Sequence, residues 1–186
     1  MFYDGVVAGR YVELRSATAE DAEFTLSIRQ DPEFSKFLPR LDNTIEQQRN
    51  WIASQRNKPG DYFFVIWDKE GNRIGTISLY DVEGDVCESG RLAVRGNAFQ
   101  SIEAQMLSFK FAFEELKLKE VVSYIYADND RALRFNKQFG GVFYEPEVVN
   151  ENDHPMIKAI NTKEAYLEAE KKLGNMLYRE RKKKNA

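Results

Sequence analysis

The sequence predicts an α/β (α+β) fold, a central mixed, twisted sheet of about seven strands flanked by helices and followed by a C-terminal helix. Three observations predict it. Val86 to Val94 and Val121 to Ala127 are β-rich runs separated by an amphipathic helix of about four turns, a spacing that calls for a right-handed parallel crossover. Asp61 to Asp68 and Arg73 to Tyr80 flank Lys69-Glu-Gly-Asn72 and read as an antiparallel hairpin. Ile102, Met106, Phe109, Phe113 and Leu116 recur at steps of four and three, one buried stripe of a helical repeat.

The elements follow in order. Arg10 to Arg15 alternates at period two and runs into Thr18-Ala-Glu-Asp21, a helix cap with an acidic residue three positions on. That helix buries Phe24 and Ile28 and stops near Asp31-Pro32, because proline restricts the residue before it. A loop from Glu33 to Asn43 carries Phe34, Phe37 and Leu38, either as core edge or as a substrate wall. Thr44-Ile-Glu-Gln47 caps a second helix with Ile45, Trp51 and Ile52 on its apolar face, ending near Asn57. After the hairpin, Val82 to Asp85 turns the chain into the strand Val86 to Val94. Asn129 opens a helix whose inner face holds Ala132, Phe135, Asn136 and Phe139, ended by Gly140-Gly141. Val142 to Val149 and Pro155 to Ile160 form a last strand pair joined by Asn150 to Asp153, and Asn161-Thr-Lys-Glu164 caps a helix with Tyr166, Leu173 and Leu177 on one side.

At 186 residues, with 42% hydrophobic and 31% charged residues, the chain reads as one globular domain over 1–186. Its core runs from about residue 9 to 160, and 161–186 is the C-terminal helix with its basic tail. A net charge of -3 argues against a nucleic-acid surface over the whole molecule. The single Cys87 forms no internal disulfide, and no apolar run approaches the roughly 18 residues of a membrane span. Met1 to Gly9 lacks the basic flank and apolar stretch of a secretory signal, so a reducing, cytoplasmic setting is expected. His154 has no Cys or His partner at ligand spacing, and no metal is expected. Cys87 has no histidine near it in sequence and reads as a small strand residue rather than a nucleophile. The run Arg179-Glu-Arg-Lys-Lys-Lys184 reads as a solvated tail.

A parallel crossover presents a helix N-terminus beside the carboxyl end of its first strand, so a phosphate-bearing cofactor is expected there. Gly9-Arg-Tyr-Val-Glu-Leu-Arg-Ser-Ala-Thr-Ala-Glu-Asp-Ala, Arg73-Ile-Gly-Thr-Ile-Ser-Leu79, Phe111-Ala-Phe-Glu-Glu-Leu116 and above all Asn129-Asp-Arg-Ala-Leu-Arg-Phe-Asn-Lys-Gln-Phe-Gly140 give this expectation a name. From about Gly9 to Ile160 the chain resembles the GCN5-related N-acetyltransferase (GNAT) superfamily, in particular its ribosomal-protein and amino-sugar acetyltransferase branch. The resemblance implies acetyl-CoA as donor, a primary amine as acceptor and direct attack of the amine on the thioester. It also implies that the fourth and fifth strands of the sheet splay apart. Amides of Leu92, Ala93 and Val94 would then hold the pantetheine, amides around Phe99, Gln100, Ser101 and Ile102 the pyrophosphate, and Asn129, with Arg134 on the same helix, the rest of the cofactor.

The family usually carries Gln/Arg-x-x-Gly-x-Gly/Ala before its long helix, whereas Arg95-Gly-Asn-Ala-Phe-Gln-Ser-Ile102 is shorter and has only Gly96. Asn136 stands where many relatives have the tyrosine that protonates the departing thiolate. An amide hydrogen-bonds sulfur but delivers no proton at neutral pH.

Glu88 is the expected general base, the alternative being a solvated strand carboxylate. Asp81 is a second candidate and otherwise a turn residue. Gly90 marks a close approach of backbone or ligand, or a bulge. Arg91, in Glu88-Ser-Gly-Arg91, either pairs with a phosphate of a nucleotide-linked acceptor or makes a structural ion pair. Phe37, Tyr80, Tyr124 and Tyr126 line the acceptor cleft or belong to the core. The function expected is N-acetylation of a nucleotide-linked amino sugar, with a protein N-terminal amine as alternative acceptor and a non-catalytic CoA-binding module as the alternative class. A small-molecule partner is expected, nucleic acid and membrane are not, and a homodimer is left open.

Overall fold

The computed structural model describes residues 1–37, 41–148 and 154–178. The strands are β1 (Val6–Ala8), β2 (Val12–Ser16), β3 (Tyr62–Asp68), β4 (Arg73–Glu83), β5 (Val86–Val94), β6 (Glu120–Tyr126), β7 (Val142–Phe143) and β8 (Met156–Thr162). They form one eight-stranded sheet in the order β1-β2-β3-β4-β5-β6-β8-β7. The helices are α1 (Ala22–Gln30), α2 (Pro32–Ser35), α3 (Ile45–Asn57), α4 (Ala98–Lys110), α5 (Asp130–Lys137) and α6 (Lys163–Tyr178). Neighbouring strands are antiparallel except β5 and β6, which the α4 crossover makes parallel.

Three strand assignments change, the first being β4, which continues to Glu83 and so takes up the start of the expected Val82 to Asp85 turn. The sheet gains β1, three residues too short to show a period, which pairs with β2 around Gly9. The run from Val142 contributes only two residues to β7, and pairing resumes at a single Glu147–Met156 bridge. Leu38, Val149 to Asp153 and the basic run from Arg179 lie outside the described residues.

Helix starts are where the caps place them. Thr44 with Gln47 and Asn97 with Gln100 form reciprocal boxes, and ahead of α1 Asp21 Oδ2 accepts from the Thr18 amide (2.8 Å) and hydroxyl (3.0 Å). The Ile102, Met106, Phe109 and Phe113 stripe is buried in the main core with Leu14, Phe64, Ile77 and Leu79. At its end α4 widens into a π turn, Phe111–Glu115, whose Phe111 ring packs edge-on against Tyr3, Tyr62 and Phe64. Ile45 is the exception on α3: it is exposed, while Trp51 and Ile52 join the smaller core of Phe63 and Val65 on the other face of the sheet. One face thus carries α4, α5 and α6, and the other carries α1 and α3.

Glu103 on α4 ties the N-terminal hairpin down. Its carboxylate is fully buried and accepts from the consecutive amides of Arg10 (2.8 Å), Tyr11 (2.6 Å) and Val12 (2.8 Å) and from the Tyr178 hydroxyl (2.7 Å). Gly9 is required beside it, since a Cβ there would lie 2.5 Å from the Glu103 carboxyl carbon.

Candidate active site

The site is created by a break in the sheet. β5 and β6 pair only through Val86–Glu120, Cys87–Val121 and Glu88–Val122, and beyond Glu88 the strands part. The cause lies on the opposite edge of β5. Thr76 pairs with Ala93 and Ser78 with Gly90, so Arg91 and Leu92 stand opposite the single Ile77. This is a β-bulge, with Arg91 at φ 53° and its carbonyl accepting from Thr76 Oγ1 at 2.9 Å. Bulges bend and twist the strand that carries them, here away from β6. A non-glycine residue in the left-handed region costs about 1 kcal/mol, which the surrounding contacts of Arg91 offset.

The bulge also sorts the expected amides. Arg95 N donates to Ile74 O (2.7 Å), so by the alternation of an antiparallel ladder the Ala93 amide turns to β4 and the Val94 amide to the open side. Val94 remains as an expected donor, Ala93 is engaged in the sheet, and Leu92 lies within the bulge.

At the mouth of the opening α4 begins at Ala98, one residue before the expected stretch. Asn97 Oδ1 accepts from the Gln100 amide (3.0 Å), Gln100 Oε1 from the Asn97 amide (2.9 Å), and the Ser101 amide bonds Asn97 O (3.0 Å). Ile102 is a core residue. The first-turn amides left for an anion are therefore those of Ala98 and Phe99, which shifts the expected donor set toward the strand. The Phe99 ring stacks on Tyr11 at 5.7 Å. Arg95 reaches across to α1 and binds Ser27 O, Ser27 Oγ and Asp31.

Across the opening, Asn129 caps α5 with its carbonyl oxygen, which accepts from Ala132 N at 3.1 Å. Its Nδ2 stays available as a donor among the described residues. Asn136 turns inward on its own helix: its Nδ2 donates to Ala132 O at 2.9 Å. Arg134 is exposed.

On the face opposite α4, Glu88 and Tyr80 are register partners of β5 and β4. The Tyr80 hydroxyl donates to Glu88 Oε1, and Oε2 has no partner among the described residues. Burial raises the half-buried Glu88 carboxyl above its ordinary range; the Tyr80 hydrogen bond draws it back, Asp81 adds to the rise and Arg91 opposes it. Tyr80 is itself raised, by burial and then by the Glu88 charge. Gly90 makes room for this pair, since a Cβ there would fall 2.6 Å from the Tyr80 hydroxyl. The close approach expected at Gly90 is thus made by Tyr80.

Arg91 takes the ion-pair alternative. Its guanidinium meets the fully buried Asp61 carboxylate at 3.0 Å and lies over the rings of Tyr80 (4.4 Å) and Trp51 (5.3 Å). Its charge also acts directly on Glu88, lowering the proton affinity of that carboxyl. Asp81, at φ 49°, sits in a second bulge of β4 and pairs with Lys58 at 3.3 Å, facing solvent. Phe37 approaches Tyr126 at the end of β6 (6.4 Å), and His154 stacks on the same tyrosine (4.3 Å) while its Nε2 meets Asp128 at 3.0 Å. Cys87 is buried with its thiol pushed up to about 12 by burial, which leaves no thiolate for a nucleophilic role. Among the described residues no cluster of three or more His, Cys, Asp or Glu side chains is placed to hold a metal, and no helix is long and apolar enough to cross a membrane.

Asp61 and Ser123 are site neighbours that the sequence reading did not single out. Nothing local marks Asp61: only its complete burial against Arg91, two strands away in the sheet and thirty residues away in the chain, gives it meaning.

The chain has relatives among known proteins, in sequence and in fold. Residues 12–142 match the family model for an acetyltransferase (GNAT) domain. The acetyltransferase PseH of Campylobacter jejuni is 22% identical over 139 residues, 74% of this chain and 85% of that protein. Among solved structures, apo FdhC, described as a nucleotide-linked sugar GNAT, superposes with a TM-score of 0.81 at 20% identity, covering 94% of this chain and 99% of that one. The spermidine N-acetyltransferase of Vibrio cholerae in complex with CoA and spermine does so at 0.75 and 13% identity, covering 84% and 98%. Those structural likenesses show the fold, and the family match shows the lineage: the chain belongs to the GNAT acetyltransferase family.

Proposed function

We propose that this acetyltransferase moves the acetyl group of acetyl-CoA to the primary amine of a nucleotide-linked amino sugar. The carrying observation is Glu88: a half-buried carboxylate of raised proton affinity, steadied by Tyr80 on one oxygen and open on the other, beside the point where β5 and β6 part. Bound acetyl-CoA supplies a thioester activated for acyl transfer. Val94, the Ala98 and Phe99 amides and Asn129 Nδ2 are the groups that would hold it, all at the opening and all donors.

Glu88 Oε2 accepts a proton from the acceptor ammonium. The free amine forms the C–N bond as the C–S bond breaks, a second amine proton leaves with the sulfur as thiol, and Glu88 returns its proton to solvent. A positioned base of this kind is worth about two to four orders of magnitude. The nucleotide-linked acceptor is supported by the likeness to FdhC, described as a nucleotide-linked sugar GNAT, and by the aromatic pair of Phe37 and Tyr126 at the end of β6.

Thermal melts with CoA and acetyl-CoA, followed by acetylation assays on amino-sugar nucleotides and on peptide N-termini, test the proposal. At about 100 times Kd each ligand stabilises by about 2.7 kcal/mol, a rise of roughly 5–11 °C for a domain of this size. Turnover of peptides alone would replace the sugar by a protein amine. No shift with either ligand at millimolar concentration would favour a module that keeps the fold without the donor site.

A further inference from the structure

The last register pair of the β5/β6 ladder is Glu88 with Val122. The next residue on each strand is a serine, Ser89 and Ser123, each 7% exposed. Side chains alternate along a strand, so both serines lie on the face of Cys87 and Val121, under α4, and opposite to Glu88. Gln105 of α4 engages Ser89: its Nε2 donates to Ser89 Oγ (3.5 Å) and to Ser108 Oγ (3.2 Å), and Ser108 Oγ donates to Gln105 O (3.0 Å).

Every member of this buried polar group has a partner except one. Among the described residues the Ser123 hydroxyl makes no hydrogen bond. The hydroxyl is not sealed off: it keeps a little contact with solvent, through which a ligand atom can reach it. Ser123 stands at the apex of the opening, on the side of the sheet where α5 packs through Leu133 and Ile125. Asn136 on that helix, expected beside the leaving sulfur, has turned its amide to Ala132 O.

We propose that the Ser123 hydroxyl is the hydrogen-bond donor to the sulfur of coenzyme A. The inference rests on the acetyltransferase reading above. The hydroxyl keeps its proton and stabilises negative charge on sulfur as the C–S bond breaks, while Ser89, held by Gln105, forms the facing wall.

Calorimetric titration of wild type, Ser123→Ala, Ser123→Cys and Ser108→Ala with CoA and with desulfo-CoA tests it, each protein being checked by thermal melt. Wild type should prefer CoA by about tenfold. The preference should fall toward unity in Ser123→Ala with desulfo-CoA affinity unchanged, take an intermediate value in Ser123→Cys, whose thiol is a weaker donor, and persist in Ser108→Ala. The kcat of Ser123→Ala should fall about tenfold with the acceptor KM unchanged. Full preference retained in Ser123→Ala, or none in a wild type that binds both ligands, would overturn the sulfur contact and leave the acetyltransferase reading standing. A wild type that binds neither ligand would overturn both.

Discussion

Glu103 and Glu88 are two glutamates withdrawn from water, and the molecule uses them in opposite ways. Glu103 is completely buried, and three consecutive backbone amides and a tyrosine hydroxyl occupy its carboxylate. Glu88 is half-buried and has one donor, Tyr80, on one oxygen. A carboxylate saturated with donors is a fastener, because any change leaves several buried groups unpaired. A carboxylate with one donor, a free oxygen and a proton affinity raised by burial is available for chemistry.

Exchanging each for its amide separates the two roles. In Glu88→Gln the largest effect is on rate: kcat/KM should fall by about two to four orders of magnitude with CoA binding retained, read by steady-state kinetics and titration. Its stability should move the other way. The folded protein holds the Glu88 proton more tightly than the unfolded chain, so this group's contribution is full below the unfolded carboxylate pKa and is lost as pH rises through the raised folded value. Removing the charge should therefore leave Tm at pH 7 the same or slightly higher, and the difference from wild type should vanish in acid. A large loss of Tm would make Glu88 a second fastener.

Glu103→Gln should behave in reverse. It places an amide against the Arg10, Tyr11 and Val12 donors and should cost about 3 kcal/mol, roughly 6–12 °C in Tm by calorimetry, with kcat at 25 °C little changed in the molecules that remain folded.

The smallest effect sharpens the comparison. The Tyr80 hydrogen bond lowers the Glu88 pKa against the effect of burial, so Tyr80→Phe should move the acidic limb of the kcat/KM profile to higher pH, with rate recovering in alkali. An unmoved limb would detach Tyr80 from the base.

Much of this was legible along the chain. Thr44 with Gln47 caps a helix as its spacing requires, and the Ile102 stripe is core, because caps and periodicity depend on residues within a few positions of one another. β1 was missed because three residues carry no period, and Ile45 was misplaced because α3 buries a narrower stripe than its apolar residues suggest. Within the site, Glu88 was legible as a candidate through the family resemblance. The partners that decide what Glu88, Arg91 and Asn136 do were not.

By itself the sequence determined the class of fold, the parallel crossover and the end of the sheet at which a phosphate-bearing donor would bind, since each follows from local pattern and chain geometry. Only the tertiary structure decided that Arg91 meets Asp61, that Gly90 yields its space to Tyr80, that Asn136 bonds its own helix and that Ser123 stands alone at the apex. Those outcomes depend on a bulge that bends β5 away from β6 and on contacts between residues far apart in the chain, where hydrogen-bonding and burial compete in three dimensions.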